Sequence, residues 1–162
     1  MTSCQSIDRW AGAAATSVCC LLTLALLSAP VAAQPICLKV EAERNHVATV
    51  PTSEGKEMRL SFRHSVYGSQ VEEQFRITQN GFQIIRLRYA ESHLLEFYGH
   101  EYGRLEEGWW VVEGDRRKIV TLELRVSQDS HMHISFGPEI ISLRELVEPG
   151  NLVRVGVTSC EN

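Results

Sequence analysis

The sequence predicts a mainly all-β protein, an antiparallel β-sandwich or barrel of about eight short strands with one short helical or loop insertion. Three observations predict it. Apolar and polar residues alternate at period two through most of the chain beyond residue 34, turn residues separate the alternating runs, and only 92–105 and 143–147 read as helical. The composition is globular, with 44% hydrophobic and 22% charged residues in a chain of 162, which excludes collagen-like, low-complexity and wholly disordered classes.

Each element follows from its own residues. Ile36 to Val40 is a first strand, and His46 to Val50 continues it or pairs with it. After the turn Ser53-Glu54-Gly55, Met58, Leu60, Phe62 and Val66 alternate with Arg59, Ser61, Arg63 and Ser65. Val71, Phe75 and Ile77 then alternate with Glu72, Gln74 and Arg76, and Asn80-Gly81 signals a hairpin. Ile85, Leu87 and Tyr89 interleave with Arg86 and Arg88, and Val120, Leu122, Leu124 and Val126 with Thr121, Glu123 and Arg125. Short strands are expected at Met132–Phe136, Ile140–Leu143 and, after Pro149-Gly150-Asn151, at Leu152–Val157.

Residues 1–33 read as a leader rather than as part of the fold. From Ala11 the chain is uncharged until Lys39, and Val31-Ala32-Ala33 follows a break at Pro30. This is the pattern of a signal peptide cut after Ala33, the alternative being an uncleaved membrane anchor. Residues 34–162 are then a single β-domain, in the periplasm or otherwise exported, or held at the outer face of the inner membrane if anchored. Contact with a membrane is expected only in the uncleaved case. Of five cysteines, three lie in the leader and leave Cys37 and Cys160. In an oxidising compartment the two invite a disulfide between first and last strands, with two buried free thiols as the alternative. The formal charge is −4, with 16 Lys+Arg against 20 Asp+Glu and no basic run, so no nucleic-acid partner is expected.

One hairpin carries the most information. A four-residue loop, Tyr67-Gly68-Ser69-Gln70, sets Val66 opposite Val71 and His64 opposite Glu73 on the inward face. Ser65 and Glu72 fall opposite each other on the outer face. Two ionisable groups inside an apolar strip should pair, as a structural clamp or a functional site. At the next turn, a two-residue Asn80-Gly81 loop would send Arg86 and Arg88 inward. A three-residue Gln79–Gly81 loop would send Ile85, Leu87 and Tyr89 inward, which burial favours.

The stretch FRHSVYGSQVEEQFRI, Phe62 to Ile77, resembles the His-Ser-Val…Val-x-Glu hairpin of the bacterial domain of unknown function 1850 family. Cys37 in the first strand, Trp109-Trp110, a histidine (His131 or His133) shortly before Phe136, and Ser142 to Gly150 fit the same resemblance. The resemblance implies a small exported protein, of a kind usually encoded beside tripartite ATP-independent periplasmic transporters of the TAXI-associated type. The family's Gly-x-Gly-Leu-Pro segment is replaced here by Phe97-Tyr98-Gly99-His100-Glu101-Tyr102-Gly103.

Other constellations are weaker. His131 and His133 share a strand face, but Met132, Ile134 and Phe136 place that face outward. His93, Glu96 and His100 have helical spacing that could hold zinc only if the segment were one helix. Trp109 and Trp110 are adjacent on a strand, so one should face the core. Gly-x-Ser-x-Gly is absent, and the neighbours His64-Ser65 and Glu72-Glu73 point to opposite faces, so no catalytic residue is assigned. The expectation is a non-enzymatic exported domain without cofactor or metal, an accessory of a TAXI-type transporter whose partner is a transporter component or a small ligand. The alternative is a small hydrolase or ligand-binding module using His64 and Glu73.

Overall fold

Two antiparallel sheets divide the chain. The computed structural model describes residues 35–42 and 45–160, within a compact unit that runs from Gln34 to Asn162. The expected leader, 1–33, lies outside the described residues.

In chain order the strands are β1 (Ile36–Ala42), β2 (Asn45–Thr52), β3 (Glu57–Arg63), β4 (Gln70–Thr78), β5 (Gly81–Tyr89) and β6 (Arg104–Glu106). Then come β7 (Trp109–Glu113), β8 (Lys118–Ile119), β9 (Thr121–Arg125), β10 (His133–Phe136), β11 (Glu139–Ser142) and β12 (Leu152–Ser159). Two short helices interrupt them, α1 (His93–Phe97) after β5 and α2 (Leu143–Leu146) after β11. One sheet has the order β2-β1-β12-β9; the other has β11-β10-β3-β4-β5-β7-β6, with β8 also on β5. The mostly β, antiparallel, sandwich-like class is as expected, but the described residues hold twelve strands rather than about eight. The surplus lies between 104 and 119, in β6, β7 and β8, which are two to five residues long. The stretch 46–50 pairs with β1 rather than continuing it.

The alternating residues of both sheets meet in one core. Leu38 and Val40 of β1 and Val153 and Val155 of β12 join Leu60, Phe75, Ile77 and Ile134 from the larger sheet. Each is fully buried or nearly so, and a side chain of this kind contributes about 1.5–3 kcal/mol through burial. A smaller cluster, Val71, Tyr89, Leu94 and Leu95, packs α1 against β4 and β5. Cys37 and Cys160 are bridged, with Cα atoms 5.1 Å apart across 123 residues of sequence, so the free-thiol alternative falls.

Two registers differ from expectation. In β3–β4, Phe62 faces Val71 and Leu60 faces Glu73, a shift of four residues that preserves parity. The loop is therefore six residues, His64 to Ser69, and the cross-strand His64–Glu73 pair does not form. In β4–β5, neither expected turn occurs. Thr78 pairs with Gly81 around Gln79-Asn80, so Phe82 and Ile84 point inward; a bulge at Ile85 then reverses parity. Beyond it Leu87 faces Glu73, Tyr89 is buried, and Arg86 and Arg88 stay on the outer face. Gly114 makes the bulge possible, because its N–H donates to the Ile85 carbonyl at 2.9 Å and a Cβ there would meet the Ile84 carbonyl oxygen at 2.4 Å.

Candidate functional site around His64

The β3–β4 loop is built around one imidazole. Its ends are closed by the His64 N–H donating to the Ser69 carbonyl at 2.8 Å, and by the Gly68 N–H donating to the His64 carbonyl at 2.8 Å. Gly68 takes φ +68°, which a glycine adopts without strain. His64 Nδ1 accepts from the N–H groups of Val66 and Tyr67, both at 3.3 Å. A neutral ring accepting at Nδ1 carries its proton on Nε2. His64 is only 6% exposed, and burial, followed by the charge of His93, pushes its pKa below the ordinary 6.5.

Helix α1 supplies the opposing wall. Ring centroids of Phe97 and Tyr98 lie 4.6 and 5.8 Å from that of His64, both edge-on, and Tyr67 reaches His93 at 4.4 Å. Favourable aromatic geometry of this kind adds about 0.5–1.5 kcal/mol per pair beyond burial. The helix ends at Tyr98, with Gly99 at φ +75°, and this turn carries His100 to the Tyr89 hydroxyl, 2.9 Å from Nε2. Around the buried imidazole the rim is apolar and open: Val66 is 72% exposed, Phe97 51% and Tyr67 47%.

Glu72 and Glu73 divide as parity requires. Glu72 receives Arg88 at 2.6 Å and Arg59 at 3.8 Å on the outer face, where Arg88 also covers the Trp109 ring at 4.6 Å. Trp110 packs on the small inner cluster, so the two tryptophans divide as expected. Glu73 points inward, and burial pushes its carboxyl above the ordinary range. Burial, then the Glu73 charge, pushes the Tyr98 phenol up to about 12; Tyr89 moves in the same direction, with Tyr98 a further cause. Tyr98 thus touches His64 on one side and feels Glu73 on the other.

Neither of the weak metal sets assembles. Helix α1 stops before His100, whose ring goes to Tyr89, while His93 Nδ1 lies 3.2 Å from a Glu91 oxygen. His131 is exposed, with φ 44°, ahead of β10, and its carbonyl lies 3.1 Å from Nδ1 of the half-buried His133. Among the described residues, no group of three or more His, Cys, Asp or Glu side chains could hold a metal ion.

A relay absent from the sequence reading links Ser69, Glu91 and His93. The Ser69 hydroxyl donates to Glu91 at 2.7 Å. The carboxylate stands between the other two, whereas a nucleophile needs the imidazole in the middle to take its proton. This relay therefore anchors the loop to the residues before α1. Of the nearby motif, Ser65 and Val66 lie on the exposed loop and Glu72 in the outer ion pairs. What the sequence reading missed is Tyr67, Ser69, Glu91 and Phe97. Phe97 and Tyr67 carried one signal, as large apolar residues in segments that turn signals mark as exposed.

The family model of the domain of unknown function 1850 (DUF1850) matches residues 58–143. The chain belongs to this family. The match begins in β3, ends at the first residue of α2, and contains the whole His64 loop and its α1 wall. The disulfide lies outside it. No curated protein and no solved structure matches the chain. Among the described residues, no helix is long and apolar enough to cross a membrane.

Proposed function

We propose that this DUF1850 chain works on the exported side of a membrane as a non-enzymatic accessory domain of a TAXI-type tripartite transporter. It docks a transporter component through the rim of Val66, Tyr67 and Phe97. The observation that carries this reading is the rim itself: apolar side chains held open to solvent by a loop whose hydrogen bonds converge on one buried histidine. Monomeric surfaces rarely keep such side chains together without a partner. The disulfide supports an oxidising compartment. The transporter association rests on the resemblance carried by the His-Ser-Val hairpin.

The test is co-purification of the tagged chain with TAXI-type solute-binding and membrane components. The reading expects one component to be retained by the parent and lost with Val66→Asp, while the variant's melting temperature stays unchanged. Retention by Val66→Asp, or no retention by the parent, contradicts it. The hydrolase alternative would show itself as turnover lost in both His64→Asn and Glu73→Gln.

A further inference from the structure

On the other side of His64 and Tyr98 the structure opens a recess of about 260 Å³ where the two sheets meet. Its walls come from the end of β3 and from the connection after β9, joined by the Arg63 N–H donating to the Ser130 carbonyl at 2.6 Å. Arg63 and Arg125 both line it, with Ser65, Ser127 and Ser130 between them and Phe62 and Met132 as an apolar wall. Among the described residues, no carboxylate lines it. Three other recesses of the described residues each contain at least one glutamate, Glu101 and Glu113, Glu57 and Glu113, or Glu57. In a chain of net charge −4, a recess with two guanidinium groups and no acid is a local reversal of sign.

The arginines are also placed rather than loose. Arg63 Nε donates to the Gly68 carbonyl at 2.6 Å, and Arg125 donates through one terminal nitrogen to the Gly150 carbonyl at 2.8 Å. One bond fixes each fork and leaves its other nitrogens for an acceptor. Neither guanidinium lies within ion-pair distance of a described carboxylate, whereas Arg59, Arg86, Arg88 and Arg104 all do. A planar fork matches a carboxylate through two parallel N–H bonds.

We infer that this recess binds a small organic carboxylate, held by Arg63 and Arg125 with its carbon body against Phe62 and Met132. The apolar wall distinguishes this ligand from an inorganic oxyanion, which would leave that surface bare. The volume lies just below the usual range for drug-sized ligands, roughly 300–1,000 Å³, and so suits a molecule of a few carbons. This site is separate from the docking rim, although His64 and Tyr98 border both.

The experiment is calorimetric titration of the full chain at low ionic strength with succinate, butyrate, butyramide and inorganic phosphate. The inference expects saturable binding of succinate and butyrate, with butyramide and phosphate weaker by about tenfold or more. Arg125→Gln should weaken carboxylate binding by a similar factor. Arg144→Gln, which removes an equal charge from α2, should not. Because Arg63 also braces the His64 loop, Arg125→Gln is the primary variant; it loses one exposed bond to the Gly150 carbonyl, so its melting temperature should stay within about 4 °C of the parent's. Absence of saturable carboxylate binding, phosphate binding as tight as butyrate, or equal effects of Arg125→Gln and Arg144→Gln would each overturn the inference. Failure of the transporter co-purification would leave these titrations unchanged, so the two readings fail separately.

Discussion

The two ends of β12 are built differently. At its far end, Thr158 lies opposite Cys37, and the chain continues into the Cys160 bridge. At its near end, Leu152 lies opposite Arg125, and the neighbouring connection opens into the recess beside His64. One end closes the domain covalently. The other holds a buried imidazole, two arginines without acid partners among the described residues, and an apolar rim. A structural end needs only apolar packing and a staple, and it is the polar groups kept in defined positions at the other end that the proposed docking and binding rest on.

The largest effect should come from the stapled end. A bridge across 123 residues restricts the unfolded chain by about 5 kcal/mol on chain entropy. Reduction, or Cys37→Ala with Cys160→Ala, should therefore lower the melting temperature by roughly 10–20 °C. Calorimetry of reduced and oxidised protein measures it. An unchanged midpoint would mean that both ends rely on packing alone.

A smaller effect is expected at the His64 end. His64→Ala removes the acceptor for the Val66 and Tyr67 N–H groups and should cost about 2 kcal/mol in denaturant unfolding. His64→Asn, which retains an acceptor, should recover part of that loss. Equal destabilisation by both variants would show that ring packing, not hydrogen bonding, holds the loop.

The sequence made the two ends unequally legible. Period-two alternation identifies β1, β3, β4, β9 and β12, and the two cysteines outside the expected leader suggest their own bridge. The His64 loop was harder. Tyr67-Gly68-Ser69-Gln70 has the composition of a tight turn, but His64 Nδ1 and the Ser69 carbonyl hold a wider loop that sequence alone does not display. Because the resulting shift is four residues, Glu73 still points inward while its expected partner does not face it. The bulge at Ile85 was hidden for a related reason: it depends on the close approach of Gly114, nearly thirty residues away. Helix α1 reaches the site only through tertiary packing, so Phe97 carried no local sign of a neighbouring histidine.

The pH dependence sharpens the comparison further, with smaller effects. His64 has a lowered pKa, so the folded state resists protonating it; the stability it contributes is present above 6.5 and is lost as pH falls below that value. Glu73 has a raised pKa, so its contribution is present below its ordinary 4.5 and is lost as pH rises through the raised value. Glu73→Gln should therefore exceed the parent in melting temperature at pH 8, with the difference shrinking toward pH 4. A parent that gains more from alkaline pH than Glu73→Gln would contradict the inward placement of Glu73.

The measurement that bears most directly on the difference between the ends is site-specific photocrosslinking in producing cells. Val66 and Val120 are almost equally exposed, 72% and 73%, but Val66 sits on the His64 loop, whereas Val120 immediately precedes Thr121, the residue opposite Gly156 toward the stapled end. A photoreactive phenylalanine analogue at position 66 should capture a TAXI-type transporter component, and the same analogue at position 120 should not. Equal capture at both positions, or capture only at 120, would contradict the account.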